Sequence, residues 1–290
     1  MSAVEPIDLR HQATERVVAV YLLETKDGPA LFDCGPATTV PALKAGLKER
    51  GLELTDLRHV LLSHIHPDHA GAAGTLVREH PDLQIHVSEI GAPHLLDPSR
   101  LERSARRLWG ESFDALWGEI EPVLADNIRE VGDRVVGLEC FPTPGHASHH
   151  VSYLDADGTL YVGDATGVRI QPARHIMPQA PPPDVNLEAW SRTLDEIEIR
   201  APEQLALIHF GVAEDPGDHL TRMRDELALW SERVAGGMTE EEFVGVGRAE
   251  LEAEALASID AYDKAAPLWQ SYLGLKRYWD KRREAEAALI

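Results

Sequence analysis

Short apolar runs broken by polar turns fill the first two thirds of the chain, and longer helical spacing fills the rest. Residues 17–24 ("VVAVYLLE") and 30–33 ("ALFD") predict a hairpin across the turn "TKDGP". Val40, Leu43 and Leu47 recur at helical spacing within 38–50. "RHVLLSH" (58–64) and "QIHVS" (84–88) predict strands, and 91–130 carries a helical pattern rich in Leu, Trp and Arg. Further strands are expected at 135–140, 150–154 and 159–163. A proline-rich loop, "MPQAPPPDVN" (177–186), precedes a helix at 187–200 and a strand, "QLALIHF" (204–210). Strands in two batches, each followed by helices, predict an α/β architecture of two packed sheets with helices outside.

From about 216 onward the pattern is helical throughout. The break "AGG" (235–237) divides a body, 1–235, from a C-terminal helical extension, 236–290. Thr239 with Glu242 three residues on reads as a capping box. Beyond it Leu251, Ala255, Ile259 and Tyr262 share one helical stripe, and Leu268, Tyr272, Leu275, Tyr278 and Trp279 another. So much apolar surface, Trp269 included, must be covered, either by the sandwich or by a second copy in a homodimer.

Composition narrows the function classes. The hydrophobic share of 43% supports a sizeable core, and the net charge of −21 argues against a nucleic-acid binder or an anionic membrane surface. The cysteines, Cys34 and Cys140, lie far apart and form no disulfide framework. "MSAVEPIDLRHQATERVV" lacks a basic start followed by an apolar stretch, and no run of about 18 apolar residues occurs. A cytoplasmic enzyme acting on a small molecule is the expectation.

The densest chemistry is "LLSHIHPDHAG" (61–71), where His64, His66, Asp68 and His69 crowd into six positions after an apolar run. Further candidates follow where later strands stop: His146 in "TPGHASHH", Asp164 in "YVGDATG" and His209 in "ALIHFG". Neutral imidazole and carboxylate are ligands for zinc and other borderline divalent ions. His64 and His66, two apart on an extended segment, face one side and can share an ion. Pro67 then breaks the strand and turns Asp68 and His69 toward a second position. Together these residues would satisfy two ions with one carboxylate between them. His11, His59, His80, His86, His94 and His219 read as ordinary histidines.

"HIHPDH", then "GH" at 145–146, "GD" at 163–164 and a late strand-end histidine resemble the motif set of the metallo-β-lactamase superfamily; "LFDCG" (31–35) is similar to its early motif. The resemblance covers about 17–212 and implies an αββα sandwich with metals at one edge, a helical insertion at about 91–130 and C-terminal helices. It implies His64, His66 and His146 on a first metal, Asp68, His69 and His209 on a second, and Asp164 bridging. Asp33 would orient a ligand or its loop, and His150 would stand behind the site; His149 receives no role.

The resemblance further implies two divalent ions, zinc first with manganese or iron as alternatives, and a bridging hydroxide attacking a lactone, ester or thioester, with Asp68 carrying a proton. A phosphoester or phosphotriester hydrolase is one alternative; a mononuclear iron enzyme oxidising a persulfide is another. Leu and Trp of the insertion would either wall the metals or serve plain packing, and the proline-rich loop would overhang the site. Arg169, Arg174 and His175 are candidate substrate contacts.

Overall fold

The computed structural model describes residues 4–288. The strands, in chain order, are β1 (Pro6–Asp8), β2 (Ala19–Thr25), β3 (Gly28–Phe32), β4 (His59–Leu61), β5 (Gln84–Val87), β6 (Ile128–Glu130), β7 (Arg134–Val135), β8 (Leu138–Pro142), β9 (Val151–Leu154), β10 (Thr159–Gly163), β11 (Gln204–Leu207) and β12 (Gly211–Ala213). The first six form one sheet in the order β1-β2-β3-β4-β5-β6, and the rest form the second, β12-β11-β10-β9-β8-β7.

β2 and β3 make the expected antiparallel hairpin, with Tyr21 opposite Phe32. β3 through β6 then run parallel. Parallel neighbours need crossovers, and helices supply them. α1 (Val40–Glu49) joins β3 to β4, α2 (Pro67–Ala70) and α3 (Ala73–Glu79) join β4 to β5, and α4 (Ala92–Leu96), α5 (Ser99–Trp109) and α6 (Phe113–Trp117) join β5 to β6. In the second sheet α7 (Leu187–Ile199) links the parallel pair β10 and β11. The product is the αββα sandwich.

Aromatic side chains knit the inner faces. Phe32 of one sheet meets Tyr153 and Tyr161 of the other, at ring centroid distances of 5.9 and 5.3 Å. The Tyr21 hydroxyl donates to the carbonyls of Leu207 (2.7 Å) and Gly211 (3.0 Å), so its polar end is satisfied inside the core. At one edge the sheets touch through backbone, Ala19 N–H to the Ile208 carbonyl and Val151 N–H to the Ser63 carbonyl, both 2.8 Å. Both contacts lie within two residues of a candidate ligand.

Several expectations need correction. The helical pattern at 91–130 stops at Trp117, because Gly118 adopts φ 72°, and residues 128–130 form an edge strand instead. The strand expected at 135–140 is a tight hairpin, β7 and β8, turning at Val136 and Gly137. β11 ends at Leu207, and the short β12 turns back beside it. β1 and β12 are short edge strands with too few residues to show a period.

α8 (Pro216–Ala235), α9 (Glu240–Glu254), α10 (Ile259–Ala265) and α11 (Leu268–Ala287) make the C-terminal part. The capping box forms: Thr239 Oγ1 accepts from the Glu242 N–H and Glu242 accepts from the Thr239 N–H. The extension packs on its own chain. Phe243, Tyr262 and Leu275 are buried in the same core as the sheets. Trp230 and Phe243 meet edge to face at 5.1 Å, and the Trp279 indole donates to Ser231 Oγ at 3.2 Å.

Candidate metal centre

Every sequence-selected side chain of the constellation comes to one end of the sandwich. His64, His66, His146 and Asp164 form one group whose ligand atoms lie within 4.8 Å of one another, and Asp68, His69 and His209 form a second. Asp164 stands between them. Its Oδ2 is 3.3 Å from His146 Nε2 and from His69 Nε2, and its Oδ1 is 3.5 Å from His209 Nε2. Asp68 Oδ2 is 3.5 Å from His209 Nε2 and 3.7 Å from His69 Nε2.

Local backbone explains the placement. β4 ends at Leu61, and Pro67 opens α2, so the "HIHPDH" stretch passes from strand to helix within a few residues. Gly145, φ 146°, lies against α7: a Cβ there would come within 2.4 Å of the Trp190 side chain. Gly163, φ 52°, is equally constrained, because a Cβ would stand 2.6 Å from His150 Nε2 and from Ser63 Cβ. The glycines before His146 and Asp164 therefore let backbone into space no other residue could share.

Acceptors behind the site set three of the imidazoles. His69 Nδ1 faces Asp33 Oδ2 at 2.8 Å, and Asp33 also accepts from the Ser63 N–H (2.7 Å) and hydroxyl (2.8 Å). His146 Nδ1 donates to the Gln179 carbonyl (2.6 Å) and His209 Nδ1 to the Val17 carbonyl (2.5 Å). With Nδ1 bonded outward, Nε2 of each is the ring atom left facing inward. His64 Nε2, His66 Nδ1 and His146 Nε2 converge, His66 Nδ1 being 2.9 Å from each of the others. His150 stands behind the group: its Nε2 accepts the Asp164 N–H at 3.1 Å, while Nδ1 meets Thr143 Oγ1 at 2.8 Å.

Charges differ across the two groups. Burial, helped by neighbouring imidazoles, holds His64 and His66 well below the ordinary histidine pKa. Burial would also lower His69, but the carboxylates of Asp164, Asp68 and Asp33 outweigh it and raise the pKa well above ordinary. Burial opposes ionisation of Asp164, and His69, His146 and His209 overcome it, keeping its carboxyl well below the usual range. Burial raises Asp33 despite its bonds to His69 and Ser63.

A divalent cation fits this donor set. His69 Nε2, His209 Nε2 and both carboxylate oxygens of Asp164 are buried without a hydrogen-bond partner. Buried polar atoms are almost always paired, so four such atoms aimed together need a ligand. Imidazole and carboxylate in this mixture suit zinc, manganese or iron.

A family model described as the metallo-beta-lactamase superfamily matches residues 13–209. The chain belongs to the metallo-beta-lactamase superfamily. It is 28% identical over 156 residues to YobT of Bacillus subtilis (strain 168), covering 52% of this chain and 63% of YobT. It is 25% identical over 223 residues to ST1585, a metallo-beta-lactamase fold-containing protein of Sulfurisphaera tokodaii, covering 72% of this chain and 83% of that protein. Among solved structures, the metallo-beta-lactamase family protein TTHA1429 of Thermus thermophilus superimposes with a TM-score of 0.70 at 20% identity, over 97% of this chain and 93% of that one. The superposition on TTHA1429 shows a shared fold over nearly the whole of both chains.

A cavity of ≈ 270 Å³ opens beside Asp68 and His66. The insertion and the proline-rich loop both line it, as expected. Arg169, Arg174 and His175 do not. The Arg169 guanidinium is tied to Asp215 (2.6 Å), Arg174 to Asp215 (2.8 Å) and Asp218 (2.7 Å), and His175 packs on Tyr262. The partners of the two arginines lie on α8 or just before it and that of His175 on α10, and nothing in "RIQPARH" announces them. The basic stretch at 275–284 forms exposed ion pairs, Lys276 with Asp280 and Arg282 with Glu188.

Two histidines given no role reach the site. His149 lines the cavity with its Nδ1 buried and unpartnered. His11 is buried, stacks on Trp117 at 5.2 Å and lies near enough to Asp68 and His209 to feel their charge. It sits in a run of left-handed residues, Arg10, Gln12, Ala13 and Arg16. That strain was invisible in sequence, since none of these residues is glycine. Among the described residues no helix is long and apolar enough to cross a membrane.

Proposed function

We propose that this chain is a metal-dependent hydrolase of small lactones, esters or thioesters, holding two divalent ions. His64, His66 and His146 would hold one ion, Asp68, His69 and His209 the other, and Asp164 would touch both. The observation that carries this reading is Asp164, whose two buried, unpartnered oxygens face imidazoles of both groups. Divalent ions here would supply Lewis acidity and ionise water near neutral pH. Zinc is the first choice, with manganese and iron as alternatives. In this reading residues 1–235 form the catalytic unit and 236–290 an extension that shapes access.

The chain's own residues do the rest. Asp33, Gln179 and the Val17 carbonyl hold the tautomers and aim the rings, which keeps the site organised before substrate arrives. Asp68 and His66 alone of the constellation line the cavity. The Asp68 carboxylate can therefore reach a bound substrate, and it is the group placed to take up a proton and hand it to the leaving oxygen or sulfur. The net charge of −21 fits a small-molecule substrate better than a nucleic acid.

Metal analysis of protein purified without chelator, paired with a panel of lactones, esters and thioesters, tests the proposal. Two equivalents per chain and metal-dependent hydrolysis are expected. One equivalent, unchanged by added zinc or manganese, would remove Asp164 from its shared position.

A further inference from the structure

α5 carries Leu101, Ala105, Leu108 and Trp109 at i, i+4, i+7 and i+8, one face of a helix. Such a stripe ordinarily buries itself in a core, yet no residue of α5 is buried. The reason is the way the insertion folds. Phe113, Trp117 and Ile120 form a small apolar cluster of their own, separate from the main core, and Leu101, Ala105 and Trp109 pack only partly against it. Leu101 also packs against the main core, and the cavity is lined by the α5 stripe together with Ile65 of the main core and Trp117 of the satellite.

The cavity's lining is mixed but mainly apolar. His66, Asp68 and His149 bring it to the candidate metal centre, and α5 contributes Leu101, Leu108 and Trp109 beside the polar Arg100 and Ser104. Pro181, Pro182 and Pro183 face that stripe from the proline-rich loop, and Ala265 and Pro267 close it from the extension. The wall is braced on both sides. Trp109 meets Trp117 edge to face at 5.4 Å and Trp269 of α11 also at 5.4 Å. The loop is pinned by Ser271, which accepts the Ala180 N–H (3.1 Å) and donates to the Pro178 carbonyl (3.1 Å). Of the cations at the rim, Lys264 is held by Asp260 at 2.9 Å and by Thr14. A preformed, mainly apolar pocket that reaches a few polar groups orients an amphipathic ligand.

We propose that this slot is an acyl site: it takes an unbranched apolar substituent on the reacting carbonyl, so the enzyme selects medium-length acyl esters, thioesters or alkyl-substituted lactones over acetyl counterparts. The inference rests on the hydrolase reading above for its chemistry. The slot itself rests on the α5 stripe and the separated satellite cluster. Each methylene that enters contributes about 0.8 kcal/mol of transfer free energy, close to a fourfold gain in kcat/KM if realised in the transition state.

The test compares p-nitrophenyl acetate, butyrate, hexanoate and octanoate on the zinc-loaded full chain, with acetate, hexanoate and octanoate as tryptophan-fluorescence probes of binding without turnover. The expected result is a rise in kcat/KM of roughly fourfold per methylene until the slot is full, with octanoate binding tighter than acetate. Leu108→Ser should flatten both length dependences, with zinc content and thermal unfolding checked for intact folding; Leu101→Ser serves if that variant does not fold. Hydrolysis that is flat or falling with chain length overturns the acyl site and leaves the hydrolase standing. Length-dependent carboxylate binding that Leu108→Ser abolishes, without hydrolysis of any ester, supports the apolar slot and removes the hydrolase reading. Neither binding nor hydrolysis overturns both.

Discussion

The floor of the cavity and its wall are built on opposite principles. The floor is polar, sealed and over-determined: His64, His69, His146, Asp164 and His209 are almost wholly buried, and supporting partners hold them from behind. The wall is apolar and half-open, assembled from α5, α6, the proline-rich loop and the extension. The floor falls within the matched residues 13–209, whereas the extension's contribution lies beyond them. Reactive groups must be fixed to tenths of an ångström, so they sit where two sheets meet. A surface that only displaces water can be supplied by any helix with an apolar side.

The sharpest way to break the contrast is at Asp68. Asp68→Asn keeps size and polarity but removes the charge and the proton acceptor. Turnover of the metal-loaded enzyme should fall by about 10²–10⁴-fold, with its thermal midpoint little changed. Steady-state kinetics on the best substrate decides it, and retained turnover would move the chemistry away from the floor.

Asp33 is next. Asp33→Ala strands the Ser63 N–H and frees His69, which should cost about 3 kcal/mol of stability and roughly 10–100-fold in metal affinity. Urea unfolding and competitive chelator titration measure the two effects separately. A variant with normal zinc affinity would show that His69 is oriented by packing alone.

The two regions should also respond oppositely to pH once metal is removed. His11, beneath the wall, and His219, on the buried face of α8, are pushed down to about 4 by burial, against an ordinary 6.5. Between those values the unfolded chain binds protons that the folded chain does not. Their stability is present above about 6.5 and lost as pH falls toward 4, up to about 3 kcal/mol each. His69 and His209 are raised, so the carboxylate contacts contribute most below 6.5 and fade as pH rises through the elevated values. Zinc must displace the His69 proton. Calorimetry in buffers of different ionisation enthalpy should therefore show proton release at neutral pH, and its absence would mean that His69 starts out neutral.

The smallest effect is expected in the extension. The Tyr262 hydroxyl donates to the His175 carbonyl (2.7 Å) and accepts the Ile170 N–H (2.9 Å), both buried. Tyr262→Phe should cost about 1–2 kcal/mol in thermal or urea unfolding while zinc stoichiometry stays unchanged. Loss of metal from that variant would join the extension to the floor. One path for such coupling exists: Gln179 donates to the Ala265 carbonyl at 2.8 Å while its own carbonyl holds His146.

The sequence by itself determined the strand-and-helix texture, which is a short-range fact. Which side chains gather at the sandwich edge was legible because their motifs resemble those of the superfamily. A hairpin, a capping box or three histidines in six positions depends on neighbours a few residues away, and glycine before His146 and before Asp164 marks backbone that must approach closely. Tertiary structure decided everything that depends on partners far along the chain. Arg169 and Arg174 look like substrate contacts until Asp215 and Asp218 arrive from beyond another strand. His11 looks ordinary until a strained loop folds it beneath Trp117. The stripe on α5 predicts burial, and only its place between the satellite cluster and the cavity turns it into a wall. Periodicity states that a face is apolar; the topology of the whole chain decides whether that face meets protein or ligand.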